Sequence, residues 1–296
     1  MKYLLIFILI LINFSCIDER DYELNYMGDS LVAFARGTYG KGLEIYVTKT
    51  IPPLEQKENL DDLDVNNATI ILYEDDVEVN RLNSIENGLY HTTNDFSFTT
   101  GKVYNLVINV EGYPEMISDK IKMPNSSKFI DFDLDFSGID SIDIAKTYVY
   151  EAHIKIAKND KDACHSFNYK YYVGNISTEE GCYFEYSSNQ NLNCDYCYNF
   201  LENKCITVLD SVVSSNIFIR IEDESIKLNE NIDSFKFEIH TLSKSAEIAC
   251  KNNFDIDSYI DFSIPLQPSP APTYTNFKNG NGLFVLENID SIIIKK

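Results

Sequence analysis

Six cysteines crowd the second half of this 296-residue chain: Cys164, Cys182, Cys194, Cys197, Cys205 and Cys250. Cys194-Asp195-Tyr196-Cys197 is a CxxC, with Cys205 following and Cys164-His165 upstream. Such a set could do three kinds of chemistry. Zinc would take about four thiolate or imidazole ligands at tetrahedral geometry, but a strong zinc signal has two CxxC pairs and this chain has one. Redox chemistry of the thioredoxin type needs a βαβ setting, whereas this CxxC stands in a polar, Asn-rich stretch between predicted strands. Structural disulfides are the expectation, up to three of them, and the sequence leaves all fifteen pairings open.

The acids and histidines carry less. Asp131, Asp133 and Asp135 echo a calcium loop, which wants Gly at its sixth position and Glu at its twelfth. Phe136 and Ile142 stand there instead, so the spacing reads as the solvated face of a strand. Asp160/Asp162 and Asp255/Asp257/Asp261 are weaker echoes. His153 and His240 fall on the polar faces of their predicted strands, His91 lies at a strand end, and His165 adjoins a cysteine expected to be oxidised. The chain has no Gly-x-Ser-x-Gly, His-Glu-x-x-His, phosphate loop or dinucleotide fingerprint. The expectation is a non-enzyme with no metal and no cofactor.

The seventh cysteine says more. Lys2 is followed by the apolar run Leu4–Ile12 and then by Asn13-Phe14-Ser15-Cys16. A basic start, a short apolar run and a small residue at the cut site make a secretory signal; the run falls short of the roughly 20 residues that span a bilayer. With Cys16 directly after Ser15, residues 1–15 resemble a bacterial lipoprotein signal, and Cys16 the diacylated first residue of the mature protein. Asn13 departs from the aliphatic residue usual at its position. Ile17-Asp18-Glu19-Arg20-Asp21 then sets three acids beside the anchor, similar to the surface-export signal of Bacteroidota lipoproteins. Any tether in so acidic a chain would look alike, so outer-membrane attachment is expected and the face is left open.

Composition fixes what must position these residues. Without residues 1–15 the chain keeps 281 residues, and loss of Lys2 takes the formal charge from −21 to −22. That charge argues against nucleic acid and against anionic lipid as partners of the protein surface, since both need basic patches. An apolar content of 44% demands a core. Twenty Tyr, eighteen Phe and abundant Ile and Val favour strands.

The chain reads as mainly β, in two units. Residues 16–29 are an acidic tether. Residues 30–124 predict strands at 31–36, 43–48, 68–73, 89–92 and 103–110, separated by turns such as Gly37-Thr38-Tyr39-Gly40 and Asn87-Gly88. Short strands at this spacing suggest an immunoglobulin-like β-sandwich. Pro124-Asn125-Ser126-Ser127 marks the boundary. Residues 125–296 predict a disulfide-containing, β-rich domain: strands near 130–136, 148–156, 167–173, 216–221 and 235–241, and a last one near 289–294. One short helix is predicted from Ser243, with its hydroxyl as N-cap, to about Lys251.

A family resemblance runs through these pieces. After the signal come Leu31-Val32-Ala33-Phe34-Ala35-Arg36-Gly37, Ala68-Thr69-Ile70-Ile71-Leu72-Tyr73, Asn87-Gly88-Leu89-Tyr90 and Thr100-Gly101-Lys102-Val103-Tyr104-Asn105-Leu106. Leu242-Ser243-Lys244-Ser245-Ala246 and the closing Pro272–Asn276, Asn279-Gly280-Asn281-Gly282-Leu283-Phe284 complete the series. In this order they resemble the Bacteroidota lipoproteins grouped as the domain of unknown function 4249 family. Asn281 and Val285-Leu286 depart from the closing pattern, and the tryptophans common in the family's middle section are missing. The resemblance implies an outer-membrane lipoprotein of a kind often encoded beside a TonB-dependent transporter, with no activity or site residues to carry over. The expected function is a non-enzymatic accessory protein that binds a ligand or partner. The alternative is a structural or adhesive surface lipoprotein.

Overall fold

The computed structural model describes residues 29–50, 63–142, 145–157, 163–173, 176–178, 183–186, 192–193, 205–208, 212–223, 233–251 and 274–295. They form three β-sheets and, among the described residues, one α-helix, α1 (Lys244–Lys251). The mainly β expectation is met.

The largest sheet has ten strands drawn from both halves of the chain. The first half supplies β1 (Leu31–Thr38), β2 (Gly42–Lys49), β5 (Asn83–Ser84) and β6 (Leu89–His91). The second supplies β12 (Cys164–Val173), β13 (Ile176–Thr178), β15 (Leu192–Asn193), β16 (Cys205–Val208), β18 (Ser234–Leu242) and β20 (Asn281–Lys295). Their order is β15-β16-β12-β18-β20-β1-β2-β6-β5, with β13 attached to β12. A six-stranded sheet contains β3 (Thr69–Glu74), β4 (Val77–Arg81), β7 (Val103–Asn109), β8 (Met116–Ser118), β9 (Ile121–Lys122) and β19 (Phe277–Lys278). A third runs β10-β11-β17-β14, from β10 (Lys128–Ile142), β11 (Ala145–Ala157), β14 (Tyr183–Tyr186) and β17 (Val212–Asp223).

The main core lies between the ten- and six-stranded sheets. In β7, Tyr104, Leu106 and Ile108 are fully buried while their alternating neighbours are half-buried or exposed, because successive side chains leave a strand on opposite faces. They meet Ile70 and Leu72 from β3, Ala33 and Ala35 from β1, and Leu43, Ile45 and Val47 from β2. Burying each large aliphatic side chain contributes roughly 1.5–3 kcal/mol. Gly37 matters here because a Cβ at that position would run into Phe98 and Leu286. Phe98 in turn meets Tyr104 edge-on, ring centres 4.8 Å apart. Asn87 and Gly88 both have positive φ, 52° and 71°, as a tight hairpin turn of the type favoured by Asn-Gly requires.

The end of the chain belongs to this first core. Phe277, Phe284 and Leu286 join it, and β20 runs parallel to β1 from Val32↔Asn281 to Thr38↔Glu287. The sheet therefore continues across residue 124. Beyond Glu287, β20 pairs antiparallel with β18, from Leu242↔Glu287 to Ser234↔Lys295.

Other expectations shift in detail. β20 begins at Asn281, well before the predicted strand near 289–294. In β10, Asp131, Asp133 and Asp135 are exposed as expected, and Phe132 and Leu134 are half-buried, but Ile130 and Phe136 are also exposed. Irregular register at Phe129/Asp131 and Phe136/Gly138 breaks the alternation there. Ser243 directly precedes α1, yet its hydroxyl is committed elsewhere: it accepts from the Leu286 N–H at 3.1 Å and pairs with the Ser245 hydroxyl at 2.9 Å.

Candidate functional site: a buried charged junction

Glu287 is the residue of β20 that pairs on both sides, with Thr38 of β1 and with Leu242 of β18. Alternation puts Glu287 on the same sheet face as Leu283 and Val285, which pack with Phe34, Leu242 and the helix residues Ala246 and Ala249. The acid thus ends an apolar stripe and is itself only 2% exposed.

Its carboxylate is met from two strands. From β1, Arg36 Nε donates to Oε1 at 2.9 Å and a terminal guanidinium nitrogen to Oε2 at 2.6 Å. The Thr38 hydroxyl donates to Oε1 at 2.6 Å. From β18, His240 Nδ1 lies 3.0 Å from Oε2. His240 Nε2 is 3.6 Å from a Glu238 oxygen, and Lys236 Nζ is 2.6 Å from the other. One row of charge therefore crosses three strands.

The protonation states follow from these contacts. Burial pulls the His240 imidazolium down, but hydrogen bonds to Glu238 and Glu287 and the Glu287 charge outweigh it, so its pKa rises above 6.5. Burial pushes Glu287 up, and is overcome by His240 and Arg36, leaving it well below the usual carboxylate range. The His240 hydrogen bond leads in holding Glu238 down to about 2, against desolvation and with help from Lys236. An imidazolium held between two carboxylates keeps its protons. Such a group clamps strands together better than it abstracts protons from a substrate.

A second buried group has the outline of an activated nucleophile. Ser127 Oγ lies 2.7 Å from His165 Nε2, and the Ser127 N–H donates to the Thr241 hydroxyl at 3.0 Å. Ser127, His165 and Thr241 are all sealed from solvent at 0% exposure. The pair anchors the start of β10 to β12 and β18.

The sequence-predicted sites fall on different ground. Cys16, Cys182, Cys194 and Cys197, like Asp160, Asp162, Asp255, Asp257 and Asp261, lie outside the described residues. Cys164 opens β12, Cys205 opens β16 and Cys250 is in α1. His91 ends β6, and His153 stands opposite Asp133 in the β10–β11 ladder. His240, expected on a polar face, is buried because that face meets Glu287 and the helix-covered stripe rather than water. Among the described residues no cluster of His, Cys, Asp and Glu is placed to hold a metal ion.

Sequence reasoning missed Arg36, Thr38, Lys236, Glu238 and Glu287. A signal existed: Arg36 ends the apolar run Leu31–Ala35, and Glu287 ends Leu283–Leu286. One opposite charge closes each of two apolar strands at the two ends of the chain.

The family model described as Domain of unknown function (DUF4249) matches residues 17–292. The chain belongs to the DUF4249 family. That match spans both ends of the junction, from Arg36 to Glu287. No curated protein matches the chain.

Proposed function

We propose that this DUF4249 protein is a lipid-anchored, non-enzymatic accessory protein of the outer membrane, which binds a ligand or partner and works beside a TonB-dependent transporter. One observation carries the reading: Cys16 stands directly after Ser15 at the end of a basic and apolar leader. That is the arrangement in which a thiol receives a diacylglyceryl group before the leader is cut. The acids Asp18, Glu19 and Asp21 beside it fit export to the cell surface. The pairing with a transporter rests on the resemblance alone, whose members are often encoded beside one. Residues 30–124 are read as an immunoglobulin-type sandwich and the six later cysteines as structural disulfides, both suited to a rigid extracytoplasmic binder. The two buried histidines, each enclosed by its own partners, favour binding over catalysis.

The test is recovery of the tagged protein from native outer membranes in mild detergent. A TonB-dependent transporter should co-purify in stoichiometric amount. Repeated recovery of the protein without one would overturn the reading.

A further inference from the structure

We propose that the outer edge of β10, over Asp131–Phe136, is a docking site for an extended segment of a partner protein in which basic residues alternate with apolar ones, added to the sheet as one more strand. The inference deepens the binding role proposed above and rests on it for there being such a partner.

β10 stands at the end of its sheet, whose order is β10-β11-β17-β14. Among the described residues, this 15-residue strand is therefore paired on one side with β11 and open on the other. Its register with β11 is irregular at Phe129/Asp131 and at Phe136/Gly138, and unbroken from Asp131↔Lys155 to Phe136↔Tyr150. Within that regular stretch the Leu134 N–H donates to the neighbouring Asp133 carboxylate at 3.0 Å. An amide turned toward β11 would be committed to the ladder, so Leu134 turns its backbone groups outward, as does Phe132 two residues away. These are the groups an added strand would meet. A long open edge takes up extended segments through such main-chain hydrogen bonds.

The side chains say what kind of segment fits. Asp131, Asp133 and Asp135 share one face of the stretch and are exposed. An adjacent strand sets its side chains about 4.5–5.5 Å from those directly opposite, so cations at alternate positions of the segment would each meet an acid. On the other face Phe132 packs against Phe237 of β18, ring centres 4.4 Å apart. Phe136, farther along that face, is 52% exposed, and Ile130 at the bulge is 51% exposed. The intervening residues of the segment would therefore find apolar surface. A second copy of the chain is a poor occupant. Pairing through β10 would set the same three acids against their counterparts, and like charges directly opposite are destabilising. The start of the strand is already fixed, since Lys128 Nζ and the Phe129 N–H both bond the Asp290 carboxylate of β20, at 2.9 and 3.2 Å. Docking does not have to order that end of the edge.

The experiment measures binding of the full-length protein, purified from membranes in detergent, to a fluorescent peptide that alternates Lys and Val. Binding is expected. It should weaken about tenfold in the Asp131→Asn/Asp133→Asn/Asp135→Asn variant, the worth of three exposed ion pairs. Those side chains are exposed, so the urea midpoint of the variant should stay that of the wild type. Methylating every peptide amide nitrogen should abolish binding, because the added strand then has no N–H to give. Failure to bind, binding that survives methylation, or binding undiminished in the triple variant would each overturn the inference. Co-purification from native outer membranes separates this from failure of the binding role. A partner recovered equally with the wild type and the triple variant would leave that role standing and overturn the β10 site. Recovery of the wild type without a partner would overturn the role itself, and the site with it.

Discussion

The buried Glu287 carboxylate accepts two hydrogen bonds from the Arg36 guanidinium, at 2.9 and 2.6 Å, across 251 residues of chain. The contact sits where β20 passes from pairing with β1 to pairing with β18. Removing a carboxylate from water is unfavourable by several kcal/mol unless its lone pairs are met. Here Arg36, Thr38 and His240 meet them from both flanks, so the buried carboxylate has its full set of partners only when both strands are docked.

Breaking that contact should be costly. Arg36→Ala leaves Glu287 buried with Thr38 and His240 alone, and loss of about 3 kcal/mol of unfolding free energy is expected. Denaturant titration of Arg36→Met, Glu287→Gln and the double variant should show coupling, with the double losing less than the sum by more than about 0.5 kcal/mol. Additive losses would mean that the two groups do not act as a pair.

Stability should peak in mild acid. His240 is raised above 6.5, so its contribution is complete below pH 6.5 and is lost as pH rises through its folded value. Glu238 and Glu287 are depressed below 4.5, so theirs is complete above pH 4.5 and is lost as pH falls. The junction therefore contributes most between these limits. Urea midpoints measured from pH 4 to 9 should fall on the alkaline side, and His240→Gln should flatten that limb. An unchanged slope in the variant would remove His240 as its source.

Much of this architecture was legible in local patterns. Alternation in β7, the runs of β1 and β2, and the Asn87-Gly88 turn each carry their own cause within a few residues. Local pattern shows only the end of the long strand β20, because its first half pairs in parallel with β1, and parallel partners at opposite ends of a chain leave no local signature. The burial of His240 is hidden from local pattern for a related reason. Alternation correctly put it on a face with Lys236 and Glu238, but nothing nearby in sequence announces that Glu287 and Arg36 close over that face. Four of the seven cysteine positions lie outside the described residues, so the candidate site is carried by the other groups.

Gly282 should be the least replaceable residue of the closing motif. Its φ is 125°, and a Cβ there would collide with the Ala33 carbonyl oxygen across the β1–β20 pairing. Gly282→Ala should lower stability by about 2 kcal/mol or more, combining strain with a forced separation of the strands. Gly40→Ala is the control, since φ is 79° but the space is open. It should lose only about 1 kcal/mol. Equal losses at the two positions would contradict a close approach at Gly282.

The lipid anchor is the central claim, and the mature N-terminus tests it most directly. Mass spectrometry of the protein extracted from outer membranes should find Cys16 as the first residue, carrying a diacylglyceryl thioether. Cys16→Ala should leave the leader uncut and the mature form absent from that fraction. A mature chain that begins at another residue, or at an unmodified Cys16, and still sediments with the outer membrane would contradict the account.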